Sequence, residues 1–249
     1  MASVHDRYHY TLGESVLLQM VFYCHRRKAI HCNHQWTLPF RSIPSSIIAK
    51  TEKNNLVLLP WAQKAKLDSR TIETSLIDLK MLKRKLPEIR SMTTMDPVDF
   101  CSKLRDMFAN CGIALVFLPH IGGSFLHGVT FYDKNKIVVG LTVCGKDADK
   151  FWFSLFHELG HILLGHINQP NGTTEKDEAD ADNFTKEVLI PTVEFNAFTS
   201  KNDFTKASII TFAQKQNILC GIVIGRLQKE GYINYNRCND LKTKYSFSA

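Results

Sequence analysis

Apolar residues recur at three- and four-residue steps in the stretch that follows Trp61. They are Ile72, Leu76, Leu79 and Leu82. This spacing predicts an amphipathic helix that ends before Pro87. A second helix is predicted to begin at Pro97, because Asp96 precedes it as a start signal, and to stop at Gly112.

The pattern then changes to short apolar runs without helical spacing. These runs cover 113–119, 128–133 and 136–143, and they predict three β-strands. The polar residues Asp133, Lys134 and Asn135 separate the last two runs by the length of a hairpin turn. The sequence therefore predicts a small antiparallel sheet.

Helical patterns return after the strands. Two helices are predicted over 149–166 and 175–189, because the Asn, Pro and Gly residues between them break any helix, and Pro191 ends the second one. Two further helical pieces are predicted in FTKASIITFAQKQNI and GIVIGRLQKEGYI. The fold class is predicted as α+β and mainly helical, in a domain over 56–249 that follows an N-terminal segment, 1–55, of undetermined role.

Composition narrows the class of protein but does not point to a nucleic-acid ligand. The formal charge of +7 comes from 31 basic and 24 acidic residues in short scattered groups, so direct nucleic-acid binding is not predicted. Seven irregularly spaced cysteines are typical of a reducing compartment. The N-terminus has neither the basic start nor the apolar run of an export signal, so we expect a cytoplasmic protein that does not associate with a membrane.

Candidate chemistry is concentrated in FHELGHILLGH, which begins at residue 156. His157 and His161 are four residues apart, so on a helix both imidazoles project from one face and can bind one zinc ion. Glu158 is placed to act as a general base, which takes a proton from zinc-bound water and later gives it to the leaving amine. The apolar residues on both sides of the motif favour a buried helix.

A catalytic zinc ion needs a third protein ligand, and the acidic helix EKDEADADNFTKEVLIP is the source we expect. Asp180 lies slightly closer to the apolar stripe of that helix, whereas Glu178 has the longer reach. The residues alone do not decide which of Asp180 and Glu178 is the third ligand. A solvated helix N-terminus, where negative charge is favourable, is expected to account for some of Glu175, Asp177 and Asp182.

The runs DKFWFSLFHELGHILLGH, EADADNFTKEVLIP and GIVIGRLQKEGYI resemble the ImmA/IrrE family of zinc metallopeptidases, in the branch that accompanies Xre-type and HigA-like repressors. The resemblance covers most of 60–249 and implies a zincin-like domain with the sheet beside the HExxH helix. It implies His157 and His161 as zinc ligands and Glu158 as the base. The third ligand of the family, a Glu before Ala, corresponds to Asp180, which is a departure that keeps Glu178 as the alternative.

The resemblance also implies a biological role. Members of this kind are cytoplasmic proteases that cut, or help to inactivate, a helix-turn-helix repressor or antitoxin in phage, mobile-element, toxin–antitoxin or stress-response control. The expected partner is therefore a protein substrate, an Xre/HigA-like repressor. The alternative is a catalytically weak or inactive binding module, which regulates a transcription factor or toxin by docking.

Overall fold

The structure, a computed structural model, describes residues 52–118, 127–142, 147–168 and 173–245. Nearly all of the predicted N-terminal segment lies outside these residues. Within them, the helices are α1 (Glu52–Ser69), α2 (Leu79–Ser91), α3 (Pro97–Asn110), α4 (Ala148–Leu163), α5 (Glu175–Leu189), α6 (Thr192–Thr199), α7 (Lys206–Gln216) and α8 (Cys220–Lys229). The strands are β1 (Ile113–Leu118), β2 (Gly128–Asp133) and β3 (Lys136–Thr142). The predicted α+β, mainly helical class is confirmed.

The single helix predicted up to Pro87 is wrong. α1 ends at Ser69 and α2 begins only at Leu79, where the Asp78 side chain accepts a hydrogen bond from a backbone N–H of the first turn. The residues between the two helices instead bond to the end of α3, with Asp78 donating its N–H to the Cys111 carbonyl. Pro87 lies inside α2, where the buried side chains on either side of it hold the helix against the core.

The second predicted helix is confirmed, and its end shows why glycine is required there. α3 runs to Asn110 and the chain then turns at Gly112, whose φ is +81°. A Cβ at this position would lie 2.5 Å from the Ile77 Cα. Glycine therefore permits both the left-handed backbone and the close approach of the two segments.

The sheet is mixed, so the prediction of a wholly antiparallel sheet is wrong. The strand order is β1-β3-β2, with β3 antiparallel to β2 and parallel to β1. The hairpin prediction is confirmed, because Lys134 and Asn135 join β2 to β3 and Lys134 has a φ of 58°. β1 pairs with β3 rather than with the next strand along the chain, and this crossover reverses its direction relative to the expectation.

Both faces of the sheet are covered by helices. One face packs against α1 in a cluster that includes Trp61, Val116 and Val138, and the other packs against the main core of α2 to α8. Since the strands are buried on both sides, they have continuous apolar runs instead of alternating ones. This arrangement fixes the sheet between α1 and the helices that carry the candidate chemistry.

α4 and α5 pack closely because of Gly160. A Cβ on Gly160 would lie 3.0 Å from the Phe184 ring and 3.2 Å from the Ala181 Cα, so a larger residue would push α5 away. The predicted start of α5 is confirmed, and Thr174 and Asp177 form a capping box there. The two helices therefore present facing side chains across a short distance.

Among the described residues, no single helix is long and apolar enough to cross a membrane. α7 and α8 pass that test only as a pair, bent by 114° at their junction.

Candidate metal centre

The two histidines of the HExxH motif lie one turn apart on the face of α4 that meets α5. His161 is fully buried and the side chain of His157 is mostly buried. Their Nε2 atoms point toward one another, 2.8 Å apart. The opposite face of α4 is held in the core by large apolar side chains such as Trp152 and Phe156. This packing fixes the direction in which both imidazoles project.

Glu178 on α5 completes a group of three potential ligands. Its Oε2 lies 3.1 Å from the His157 Nε2 and 3.7 Å from the His161 Nε2. Within the part of the chain that the structure describes, the potential metal ligands His157, His161 and Glu178 lie close enough together to hold one metal ion. A point equidistant from the three donor atoms lies about 1.9 Å from each, close to the ~2.0–2.2 Å bonds that zinc makes with nitrogen and carboxylate oxygen.

The charge state of the group also suits a cation. Burial lowers the pKa of His157, but hydrogen bonds with Asp182 and Glu178 and the negative charge of Glu158 outweigh it and raise the pKa to about 9. Burial likewise works against ionisation of Glu178, but hydrogen bonds from the two imidazoles and Thr173 hold its pKa far below the usual range. The carboxylates therefore favour a positive charge at this point, which a zinc ion would supply in place of the His157 proton, and two imidazoles with one carboxylate are the donor set of a catalytic zinc site. These residues fit the metal.

The structure distinguishes the two candidates for the third ligand. Glu178 lies in the group, whereas Asp180 does not. α5 turns Ala181 toward Gly160, and Glu178 lies one turn earlier on the side nearest the imidazoles. The Thr173 hydroxyl donates to the Glu178 Oε1 at 2.6 Å, which leaves Oε2 directed at the histidines.

Asp182 has a role that the sequence did not reveal. Its Oδ1 lies 3.0 Å from the His157 Nδ1, and its Oδ2 accepts a hydrogen bond from Lys229 of α8 at 2.8 Å. Although burial opposes it, the bonds with His157 and Lys229 lower the pKa of Asp182 to about 2. A carboxylate on Nδ1 fixes the imidazole tautomer that leaves Nε2 available to a metal. The signal for this role in the sequence was the four-residue spacing between Glu178 and Asp182, which places both side chains on one face of the helix.

His166 provides a corresponding contact for the second imidazole. It follows α4 in a 3₁₀ turn, and its Nδ1 lies 2.9 Å from the His161 Nδ1. On its other side, His166 Nε2 lies 3.5 Å from an Asp177 carboxylate oxygen. His166 and Asp177 therefore orient His161 from behind, and Asp177 combines this contact with its place in the capping box.

The Glu158 side chain is buried where α4 packs against the edge strand β2, and its residue is 2% exposed. The buried Thr130 hydroxyl donates a hydrogen bond to its Oε2. Its Oε1 lies against Gly128, where an added Cβ would come within 2.6 Å. The absence of a side chain at Gly128 thus leaves room for this carboxylate beside the histidines, which is the position that the HExxH motif predicts for a base.

The family comparison agrees with this arrangement. The model of the Peptidase_M78 family, described as an IrrE N-terminal-like domain, matches residues 127–228, which contain β2, β3 and α4 to α7 with most of α8. No curated protein matches the chain significantly. The match contains the two histidines, Glu158 and Glu178. Residues 127–228 therefore match a metallopeptidase-like domain, the IrrE N-terminal-like domain of the Peptidase_M78 family.

Proposed function

We propose that this chain is a zinc-dependent endopeptidase that cleaves a protein substrate. The observation that carries the proposal is the placement of three donor atoms around one point, on His157, His161 and Glu178, with the buried carboxylate of Glu158 next to the first of them in the helix. A bound zinc ion supplies Lewis-acid chemistry, which favours the ionisation of water and polarises a peptide carbonyl.

The residues of the chain have separate roles in hydrolysis. Glu158 takes the proton of the attacking water and passes it to the nitrogen of the leaving amine, so the scissile C–N bond breaks without release of a strongly basic amide anion. Thr130 donates a hydrogen bond to the Glu158 Oε2 and so positions the carboxylate that handles the proton. Asp182 and His166 keep the two imidazoles in fixed orientations.

The edge strand β2 offers a way to hold the substrate. In the described sheet it pairs with β3 on one side only, and its residues Gly128 and Thr130 touch Glu158. An extended segment that added to this edge would place its backbone next to the base. The substrate class that we propose, from the family resemblance, is an Xre/HigA-like helix-turn-helix repressor or antitoxin, in cytoplasmic control of a phage, mobile element or toxin.

Peptide cleavage by the full-length protein tests the proposal. The zinc-loaded chain is incubated with a library of unstructured peptides, and new termini are identified by mass spectrometry. We expect cleavage by the wild type, loss of cleavage on zinc chelation, and loss of cleavage in Glu158→Gln, which keeps the shape of the side chain and the zinc ligands. Lys103→Glu, a change on the exposed surface of α3, is the control and is expected to cleave normally.

Two results would contradict the enzyme proposal. If the zinc-loaded wild type cleaves no peptide, the endopeptidase proposal is rejected and the binding-module alternative is favoured. If Glu158→Gln cleaves as fast as the wild type, the base is another group.

A further inference from the structure

An open cleft with a volume of about 870 Å³ lies beside the candidate metal centre. It is bounded by the first half of α4, the second half of α5, the end of α8 and the segment 235–244. Asp182 lines this cleft and also bonds the His157 Nδ1, so a single residue separates the cleft from the metal-binding group. A segment of substrate that leaves the metal centre along α4 would enter it.

The lining of the cleft has an excess of positive charge. It contains six lysine and arginine side chains and four carboxylates. Each carboxylate already has a cationic partner. The pairs are Asp147 with Lys150, Asp149 with Lys242, Asp182 with Lys229, and Glu230 with Arg226 and Lys186. Lys244, an exposed residue of the lining, has no ion pair within the described part of the chain.

The lysines are also the more accessible members of their pairs, whereas Arg226 is more buried than Glu230. The Lys150 side chain is 50% exposed against 20% for Asp147, and the Lys229 side chain is 59% exposed against 41% for Asp182. Lys242 is likewise more exposed than Asp149. A ligand that enters the cleft therefore meets the ammonium groups of Lys150 and Lys229 before the carboxylates that they pair with. Such a surface attracts anionic side chains and repels cationic ones.

The distance from the metal centre sets where those side chains must be. Lys150 lies seven residues before His157, which is two turns of α4, and at 1.5 Å per residue the separation is about 10 Å along the helix. An extended peptide advances about 3.3 Å per residue, so about three residues span that length.

We propose that the cleft is a subsite for acidic side chains of the substrate, centred about three residues to one side of the scissile bond. This inference rests on the proposed peptidase function for the position of the bond, but binding in the cleft can be measured without cleavage. A peptide is favoured over a nucleic acid because the cleft lies next to the group proposed to cleave peptides, with Asp182 shared between them.

Fluorescence anisotropy tests the subsite with three labelled probes on the full-length Glu158→Gln protein. One probe is an unstructured peptide with a central Glu-Glu-Asp, the second has Lys-Lys-Lys at the same positions, and the third is a single-stranded oligonucleotide. We expect the acidic peptide to bind at least about tenfold more tightly than the basic one at low salt, with the difference reduced as salt is raised. Lys150→Glu combined with Lys244→Glu is expected to remove the preference, whereas Lys103→Glu, on α3 and outside the cleft, is expected to keep it.

The subsite is refuted if the two peptides bind equally, if Lys103→Glu weakens binding as much as the cleft variants, or if the oligonucleotide binds more tightly and through the same lysines. The peptide library gives a separate result for the enzyme. Cleavage products with no excess of Asp and Glu on either side of the cut also overturn the subsite. Selective binding of the acidic peptide without any cleavage by wild type sustains the subsite and rejects the peptidase function.

Discussion

Replacing Gly128 with alanine is expected to disable the base while leaving the metal in place. The new Cβ would lie 2.6 Å from the Glu158 Oε1 and 2.9 Å from its Cδ. Ordinary contact requires about 3.4 Å, so the carboxylate must move by about 0.8 Å, and a misplacement of about 1 Å at a reacting group can cost on the order of 100-fold in rate. Gly128 has no positive φ, so the backbone accepts alanine without strain.

The assay is the initial rate of peptide hydrolysis, measured together with zinc content and melting temperature. We expect a rate about 30- to 100-fold below the wild type, with one zinc ion per chain and a melting temperature within a few degrees of the wild type. Gly221→Ala is the matched control, because its Cβ meets its nearest atoms at 3.6 Å, which is ordinary contact. A Gly128→Ala protein that hydrolyses peptides at the wild-type rate would refute the assigned position of the base.

Three further predictions follow from the contacts of the site. Asp182→Asn weakens zinc binding by about 10- to 100-fold in competition with a chromophoric chelator, and unchanged affinity would deny its orienting role. Thr130→Val lowers kcat by about tenfold or more and Thr130→Ser restores it, since a hydrogen bond to a charged group is worth about 1.5–3 kcal/mol; equal rates would contradict the assignment. In zinc-free protein, the raised pKa of His157 stabilises the fold fully below pH 6.5, and this stability is lost as the pH rises through about 9. The melting temperature should fall over that range in the wild type and not in His157→Asn. A wild-type melting temperature that does not change with pH would contradict this prediction.

Local spacing in the sequence was sufficient to predict part of the candidate site. His157 and His161 share a face because they are four residues apart in one helix, and this geometry needs no knowledge of the remaining fold. The α+β class and the boundaries of α3 and α5 were also predictable, because Asp96 with Pro97 and the residues before Glu175 are local start and stop signals.

The third ligand could not be chosen from the sequence because it depends on how α5 is rotated against α4. Gly160 admits Ala181, and this contact turns Glu178 rather than Asp180 toward the imidazoles. The family pattern of a Glu before Ala favoured Asp180, since such a pattern reflects position along the chain and not the reach of the side chain. The contact of His166 with His161 could not be predicted for a similar reason, because it depends on the turn after α4.

The sheet shows the same limit. A continuous apolar run predicts a strand that is buried on both faces, but it carries no information on strand direction. The strand β1 was therefore predicted correctly but its direction was not, whereas the hairpin of β2 and β3 was predictable from its two-residue turn.

Zinc K-edge X-ray absorption of the full-length, zinc-loaded protein tests the central claim most directly. We predict one zinc ion per chain, two imidazole ligands and one carboxylate at about 2.0–2.2 Å, with a spectrum that changes in Glu178→Gln and stays the same in Asp180→Asn. Absence of stoichiometric zinc, or a spectrum that responds to Asp180→Asn and not to Glu178→Gln, would contradict the account.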